Sequence, residues 1–138
     1  MSIFYPCRIK HTLRSLNRIR IGVFIFLVND GEDKQISAAQ IEWLDAELLD
    51  NEQNGEGKPA FILSHRPLEG TSLPGTGMIT NAQEVSAVLR KYDDVIVWSG
   101  NNLAALTSTG NIYGGDENLP INVNVGAVAK TRRYVNGV

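Results

Sequence analysis

The chain has 138 residues, of which 43% are apolar and 20% charged, which is ordinary for one globular domain with a modest core. Thirteen Lys and Arg residues against fifteen Asp and Glu residues leave a formal net charge of −2, which gives no reason to expect a nucleic-acid partner. The apolar run Ile21–Val28 is shorter than the roughly 20 residues that span a bilayer, so no membrane segment is expected.

The first twenty residues form a basic N-terminal segment that contains no acidic residue. Its five cationic residues are Arg8, Lys10, Arg14, Arg18 and Arg20. Such a segment could be a targeting presequence or a phosphate-binding arm, but a loosely ordered, solvated segment is the simpler interpretation. No small-residue cleavage site follows Val28, and the single cysteine, Cys7, fits a reducing compartment. We therefore expect a cytoplasmic protein whose main unit is residues 21–138.

The best-defined element in the sequence is a helix over Ser37–Asp50. Ser37 and Gln40 have the spacing of a capping box, in which each side chain bonds the backbone N–H of the other residue. Three apolar residues recur at helical spacing: Ile41, Leu44 and Leu48. A second helix is predicted over Asn81–Tyr92, with Asn81 as its N-cap.

Three apolar runs separate and flank these helices, at residues 22–28, 60–64 and 95–99. They are rich in β-branched and aromatic residues and do not alternate with polar ones, which is typical of parallel strands buried on both faces. The order strand, helix, strand, helix, strand predicts two right-handed crossover units and an α/β fold.

The pattern changes after Gly100. Residues 111–115 and 121–128 are predicted to be short strands, and 131–137 a last edge strand, so that the sheet ends in an antiparallel or mixed tail. Residues 66–80 form an unusually long loop with two prolines and three glycines, which is typical of a lid, a binding loop or a disordered segment.

Polar residues collect where the predicted parallel strands end. In open α/β sheets, ligands bind beyond the carboxyl ends of the strands. His65 follows the second strand, and Asn101 and Asn102 follow the third. A histidine at such a position can be a metal ligand or a general acid/base, or it can be a structural residue bonded to nearby backbone.

Three stretches in this order resemble the C-terminal half of the calcineurin-like metallophosphoesterases. They are "ISAAQIEWLDAELL" (36–49), "KPAFILSHRPLEG" (58–70) and "LRKYDDVIVWSGNN" (89–102). The family has a helix with a Gln-x-x-Trp-Leu pattern, then a strand that ends in a metal-binding histidine and a proline-containing loop, then a strand that ends in Ser-Gly-His-x-His. The matching residues are Gln40, Trp43, Leu44, His65 and Pro67, and the resemblance covers roughly residues 22–128.

The chain departs from this family at the metal ligands. Asn101 and Leu103 stand where the resemblance places the two histidines of Gly-His-x-His. An asparagine amide oxygen is a weaker and harder ligand than imidazole, and a leucine side chain offers no donor atom. The Asp-x-His, Gly-Asp-x-x-Asp and Gly-Asn-His-Asp/Glu motifs of the family's N-terminal half are not present. His65 is thus the one family ligand that transfers intact, and Asn101 is a second, weak metal-ligand candidate.

The resemblance implies a fold and a function. The fold would be about half of an α-β-β-α sandwich, a mixed sheet with two long helices. The family holds two divalent metal ions (Mn, Fe or Zn) and hydrolyses phosphate esters. With so few ligands, we expect this chain to be a truncated or degenerate member that needs no cofactor and is inactive alone.

Half of such a sandwich would leave one apolar sheet face uncovered, so we expect either a homo-oligomer or a missing N-terminal half as the partner. A non-catalytic protein-binding or assembly module is the alternative function. A nucleotide-binding α/β domain is disfavoured, because neither G-x-G-x-x-G nor G-x-x-x-x-G-K-[ST] occurs.

Overall fold

The computed structural model describes residues 7–9, 12–19, 21–55, 58–72, 77–105 and 107–126. These residues form one mixed sheet with two α-helices, so the predicted α/β class is confirmed. The strands are β1 (Cys7–Ile9), β2 (Thr12–Ile19), β3 (Gly22–Leu27), β4 (Ala60–Ser64), β5 (Val95–Ser99), β6 (Ile112–Tyr113) and β7 (Asn122–Asn124). The helices are α1 (Ala38–Asn54) and α2 (Ala82–Leu89).

The strand order in the sheet is β1-β2-β3-β4-β5-β7-β6. Strands β3, β4, β5 and β7 run parallel, and the three remaining neighbouring pairs are antiparallel. The register aligns Leu27 with Ser64, Ser64 with Ser99, and Ser99 with Asn124. The four parallel strands therefore end on one line, and this carboxyl edge carries the predicted site residues.

The core lies on one face of the sheet. Val23, Ile25 and Ile62 are at most 1% exposed and belong to a single apolar cluster with residues of both helices. Leu44 and Leu48 of α1 join this cluster, as their helical spacing predicted. Because α1 and α2 pack on the same side of three consecutive parallel strands, the other side of those strands lies outside this cluster.

The opposite face of the sheet, here called the open face, presents the alternate residues of strands β3 to β7 and Val125, which directly follows β7. Its members are Phe24, Phe26, Phe61, Leu63, Ile96, Trp98, Ile112, Val123 and Val125. All of them are half-buried or exposed, whereas their neighbours along the strands are mostly buried. The prediction that these strands are buried on both faces is wrong for the described part of the chain, in which the helices cover one face only.

Three other expectations differ from the structure, and a fourth lies outside the described residues. Helix α2 has eight residues and ends at Leu89, so only α1 is long. The β6 and β7 strands are shorter than predicted, and the predicted strand 131–137 lies outside the described residues. Within the basic N-terminal segment, expected to be loosely ordered, the backbone of Thr12–Ile19 forms β2 and pairs with β3. Neither described helix combines the length and the apolar character needed to cross a membrane.

Candidate functional site at the carboxyl edge

The structure brings the two predicted metal-ligand candidates to the same edge of the sheet. His65 directly follows β4, and Asn101 comes two residues after the end of β5. The backbone N–H of Gly100 donates to the carbonyl oxygen of His65 at 3.3 Å, which holds the two strand ends together. The His65 side chain is exposed, and the Asn101 side chain is half-buried.

Asn101 takes part in holding the long loop. Its Nδ2 donates to the carbonyl oxygen of Gly77 at 3.2 Å, and Arg66 Nη1 donates to the same oxygen at 2.8 Å. The described ends of the loop also meet each other, since Leu68 and Ile79 form a parallel bridge. The loop ends are therefore fixed over the carboxyl edge by backbone and side-chain bonds. With its Nδ2 engaged, Asn101 could approach a metal ion only through its amide oxygen.

The turn after β5 depends on Asn102 and on left-handed backbone. Asn102 is fully buried; its Oδ1 accepts from the N–H of Ala104 at 2.9 Å and its Nδ2 donates to Ser72 Oγ at 3.0 Å. Asn101 and Leu103 have φ values of 64° and 51°. This conformation is common for asparagine but costly for leucine, and such strain often marks a site where the surrounding structure imposes the backbone path.

A row of buried amides completes the edge on the helix side. Asn122 and Asn124 of β7 are 0% and 3% exposed. Asn122 Nδ2 donates to Ser99 Oγ at 3.1 Å, and Asn124 Nδ2 donates to the carbonyl oxygen of Gly100 at 3.0 Å. The alternation of residues 121–125 was visible in the sequence, but it is the asparagine face of β7 that is buried. Sequence reasoning did not single out these asparagines, although their strict alternation with Ile and Val was the available signal.

The capping box predicted for α1 forms only in part. Ser37 Oγ accepts from the N–H of Gln40 at 3.3 Å, as expected. The reciprocal bond is absent, because the Gln40 side chain instead bonds the backbone of Val28, accepting from its N–H at 2.9 Å and donating to its carbonyl oxygen at 2.7 Å. The N–H of Ser37 donates to Asp30 at 2.9 Å, so this carboxylate takes the place expected for Gln40.

Asn81 likewise differs from its predicted role. It stands before α2 but makes no side-chain capping bond. The N–H of Ile36 donates to Asn81 Oδ1 at 3.0 Å, and Asn81 Nδ2 donates to the carbonyl oxygen of Ile36 at 2.9 Å. The amides of Gln40 and Asn81 therefore join segments distant in sequence, and both fix the chain between β3 and α1.

A hollow of about 560 Å³ lies where the open face meets the carboxyl edge. Much of its wall is formed by apolar side chains, those of Phe26, Leu63, Trp98 and Val125. His65 lies where the hollow meets the carboxyl edge. Of the described residues that line it, His65 is the only one with an imidazole side chain. The hollow is therefore an apolar space with one imidazole, which suits an apolar contact better than a charged phosphate ester.

The donor set does not fit a two-metal centre. In the described ranges, no group of three or more His, Cys, Asp or Glu residues is arranged to hold a metal ion. His65 and Asn101 would supply one imidazole nitrogen and one amide oxygen, and Leu103 has no donor. A pair of catalytic ions requires several anionic or imidazole ligands for each ion. Asp30, the nearest acid in the chain after β3, is bonded to Ser37.

Comparison with known proteins gives no assignment: no family model matches this chain, and no curated protein matches it significantly.

Proposed function

We propose that this chain is a degenerate relative of the C-terminal half of calcineurin-like metallophosphoesterases and that it does not hydrolyse phosphate esters by itself. The supporting observation is the placement of His65 beside the Gly100–Leu103 turn, at the ends of adjacent parallel strands. The resemblance requires those two motifs to meet at one edge. The order of the three motifs in the sequence adds support, since it matches the order of helix and strands.

The proposed inactivity follows from the donors at this edge. In the family, metal-bound water supplies the nucleophile, and the ions neutralise charge that develops on the phosphoryl oxygens. One imidazole and one amide hold neither ion with useful affinity. Asn101 and Asn102 are engaged in holding the loop and the turn, so their amides contribute to the structure of the edge.

Activity is tested with p-nitrophenyl phosphate in the presence of Mn²⁺. The expected result is hydrolysis no faster than in buffer containing the same Mn²⁺ concentration. Manganese-dependent turnover by the purified chain, abolished by His65→Ala, would contradict the proposed inactivity. The His65→Ala variant is a suitable comparison because the exposed His65 side chain contributes little to the core.

The relationship itself is tested by restoring the histidines that the resemblance places at residues 101 and 103. The double variant Asn101→His, Leu103→His should bind Zn²⁺ at least tenfold more tightly than the wild-type chain in isothermal titration calorimetry. A left-handed backbone accepts histidine better than leucine, so the Leu103→His change should not strain the turn further.

The matched control adds His65→Ala to the double variant. If the three residues occupy equivalent positions around one site, this third change should remove most of the gained affinity. Zinc affinity that does not depend on His65 would mean that the strand ends are not arranged as the resemblance requires. This readout does not involve catalysis, so it tests the relationship separately from the activity.

A second candidate function, a non-catalytic assembly module, is favoured by the open face of the sheet. Phe26, Trp98 and Val125 are 39%, 38% and 50% exposed, although Phe26 and Trp98 lie on central strands and Val125 directly follows β7. Exposed apolar surfaces of this extent usually mark an interaction site. Metal analysis of the purified chain separates both of these functions from an active phosphoesterase: stoichiometric Mn, Fe or Zn would favour the active enzyme, and its absence is expected for a degenerate relative and for a module.

A further inference from the structure

We infer that the open face is a homodimer interface, in which a second copy of this chain packs its own open face against the first to form a β-sandwich. This inference goes beyond the proposed function, because it depends only on the surface of the sheet and holds whether or not the chain is related to phosphoesterases.

The first support is the composition of the open face. All nine of its residues are apolar; eight come from five neighbouring strands of the sheet, and Val125 directly follows β7. Phe24 and Phe61 of this face stack at a centroid distance of 4.9 Å. None of these nine described residues is charged, so this part of the face does not repel an identical copy of itself.

The second support is the orientation of the polar residues on β7, which point toward the helix side and not toward the open face. Asn122 and Asn124 are buried on the helix side, while Val123 and Val125 point to the open side, where Val125 is 50% exposed. A strand at a solvent-facing surface normally places its polar residues outward. The amides lie on the helix side and bond Ser99 and Gly100, so the side chains that point outward are valines. Apolar side chains in this position are the ones that a partner is expected to bury.

The third support is the area that a second copy would cover. Ile112, Val125, Phe26 and Trp98 are 69%, 50%, 39% and 38% exposed. Since a large apolar or aromatic side chain offers on the order of 150–250 Å² when free, these four residues leave roughly 300–500 Å² per chain uncovered. Two copies together would bury about 600–1,000 Å² through these residues, and the five half-buried residues of the face add to it, so the contact comes close to the roughly 1,000 Å² that a specific interface should exceed.

The shape of the face also suits a second sheet. A shallow hollow of about 390 Å³ lies between Phe24, Phe61, Leu63, Trp98 and Val125. Stacked sheets lie about 10 Å apart, and side chains of their inner faces interdigitate. An apolar side chain from the second copy can enter this hollow, and a twofold axis would make the two contacts equivalent.

The experiment is size-exclusion chromatography with light scattering at micromolar concentration, with wild type and two matched variants. The wild-type chain should have twice the monomer mass of 15.1 kDa. Ile112→Lys places a charge on the open face at a side chain that is 69% exposed, so it should halve the mass without unfolding the chain. Leu49→Lys makes the same type of change on α1, at a residue 43% exposed, and should leave the dimer intact.

Three outcomes would overturn the inference: a wild-type monomer, an assembly of a size other than two, or a dimer that Ile112→Lys leaves unchanged. A wild-type monomer would instead point to a different chain as the occupant of the open face. Circular dichroism establishes that each variant is folded. If Ile112→Lys does not fold, Val125→Lys replaces it, because Val125 is also half exposed and lies on the same face.

Discussion

At the scale of single residues, side-chain amides form hydrogen bonds to backbone groups that in other parts of the fold are paired with other backbone groups. Gln40 bonds both the N–H and the carbonyl oxygen of Val28, just beyond the last residue of β3. Asn81 bonds Ile36 in the same two-way manner, just before α1. Backbone groups that leave a sheet must find partners, and here these amides provide them where the ladder has ended. The segment between β3 and α1 is thus fixed at both ends.

Gln40→Glu should destabilise the fold by about 1–3 kcal/mol, because the carboxylate cannot donate to the carbonyl oxygen of Val28 and would be almost completely buried. The measurement is the free energy of unfolding from urea titration, followed by circular dichroism at one fixed chain concentration. Gln53→Glu is the matched control, since Gln53 is an exposed residue on the same helix, and its effect should stay within about 0.5 kcal/mol. Equal effects of the two substitutions would show that the Val28 bonds contribute nothing specific.

Gln40 also shows where residue-level prediction stops. The Ser37–Gln40 spacing correctly predicted the bond from Gln40 N–H to Ser37, because that bond is local. The partner of the Gln40 side chain is twelve residues away and is brought close only by the packing of α1 on β3. His65 and Asn101 could be placed at the sheet edge because they follow strands, but the bond of Asn101 to Gly77 depends on the path of the long loop.

At the scale of elements, a polar contact between α1 and the segment after α2 supports the apolar packing of the two helices. Tyr92, the last residue of the predicted second helix, lies beyond the end of α2, and its hydroxyl donates to the Asp45 carboxylate at 2.5 Å. Lys91 Nζ lies 2.6 Å from the same carboxylate. The Lys91 and Tyr92 hydrogen bonds lower the pKa of Asp45, and burial together with Asp45 raises the pKa of Tyr92 to about 12.

These shifts predict opposite pH dependences for the two groups. The neutral Tyr92 phenol stabilises the folded chain fully below pH 10, and this contribution disappears as the pH rises through about 12. The ionised Asp45 carboxylate contributes above its ordinary pKa near 4, and its contribution is lost as the pH falls through the lower pKa of the folded state. Lys91 is half exposed, so the ion pair itself adds little.

The ionisation of Tyr92 at alkaline pH can be measured by absorbance at 295 nm, which detects tyrosinate. The difference between wild type and Tyr92→Phe should titrate with a midpoint near pH 12, later than an ordinary tyrosine near pH 10. Circular dichroism on the same samples identifies those in which the chain is folded. A midpoint near 10 in folded samples would mean that the bond to Asp45 does not persist in solution.

Element prediction succeeded where the apolar pattern was long and local. The β4 and β5 strands have the bounds that their apolar runs indicated, and α1 begins directly after Ser37. The second helix was predicted too long. Tyr92 continues the helical spacing of apolar residues beyond Leu89, and Arg90 is a cation of the kind that suits a helix C-terminus, although the backbone already leaves the helix there. For β7 the alternation was found, but a period of two does not say which set of side chains is buried.

At the scale of the whole molecule, the described helices cover one face of the sheet and leave the other face open. Continuous apolar runs in β3, β4 and β5 predicted burial on both sides, and the helices account for one side only. The sequence of the strands therefore implies a second apolar layer against the open face. It does not identify the chain that provides this layer, because any apolar sheet could provide it. The expectation of a homo-oligomer or a missing half remains a prediction, and the uncharged, self-compatible open face favours the second copy.

If two copies form a sandwich, thermal stability must depend on chain concentration, because one folded dimer unfolds to two separate chains. A hundredfold increase in concentration is worth about 2.7 kcal/mol per dimer, which should raise the wild-type Tm by several degrees. Ile112→Lys should show a Tm that does not change with concentration, whereas Leu49→Lys should follow the wild type, since only Ile112 lies on the open face. Differential scanning calorimetry of the three proteins measures this directly. A wild-type Tm that stays constant over this range would mean that the folded chain is monomeric and that its apolar sheet face is exposed to water.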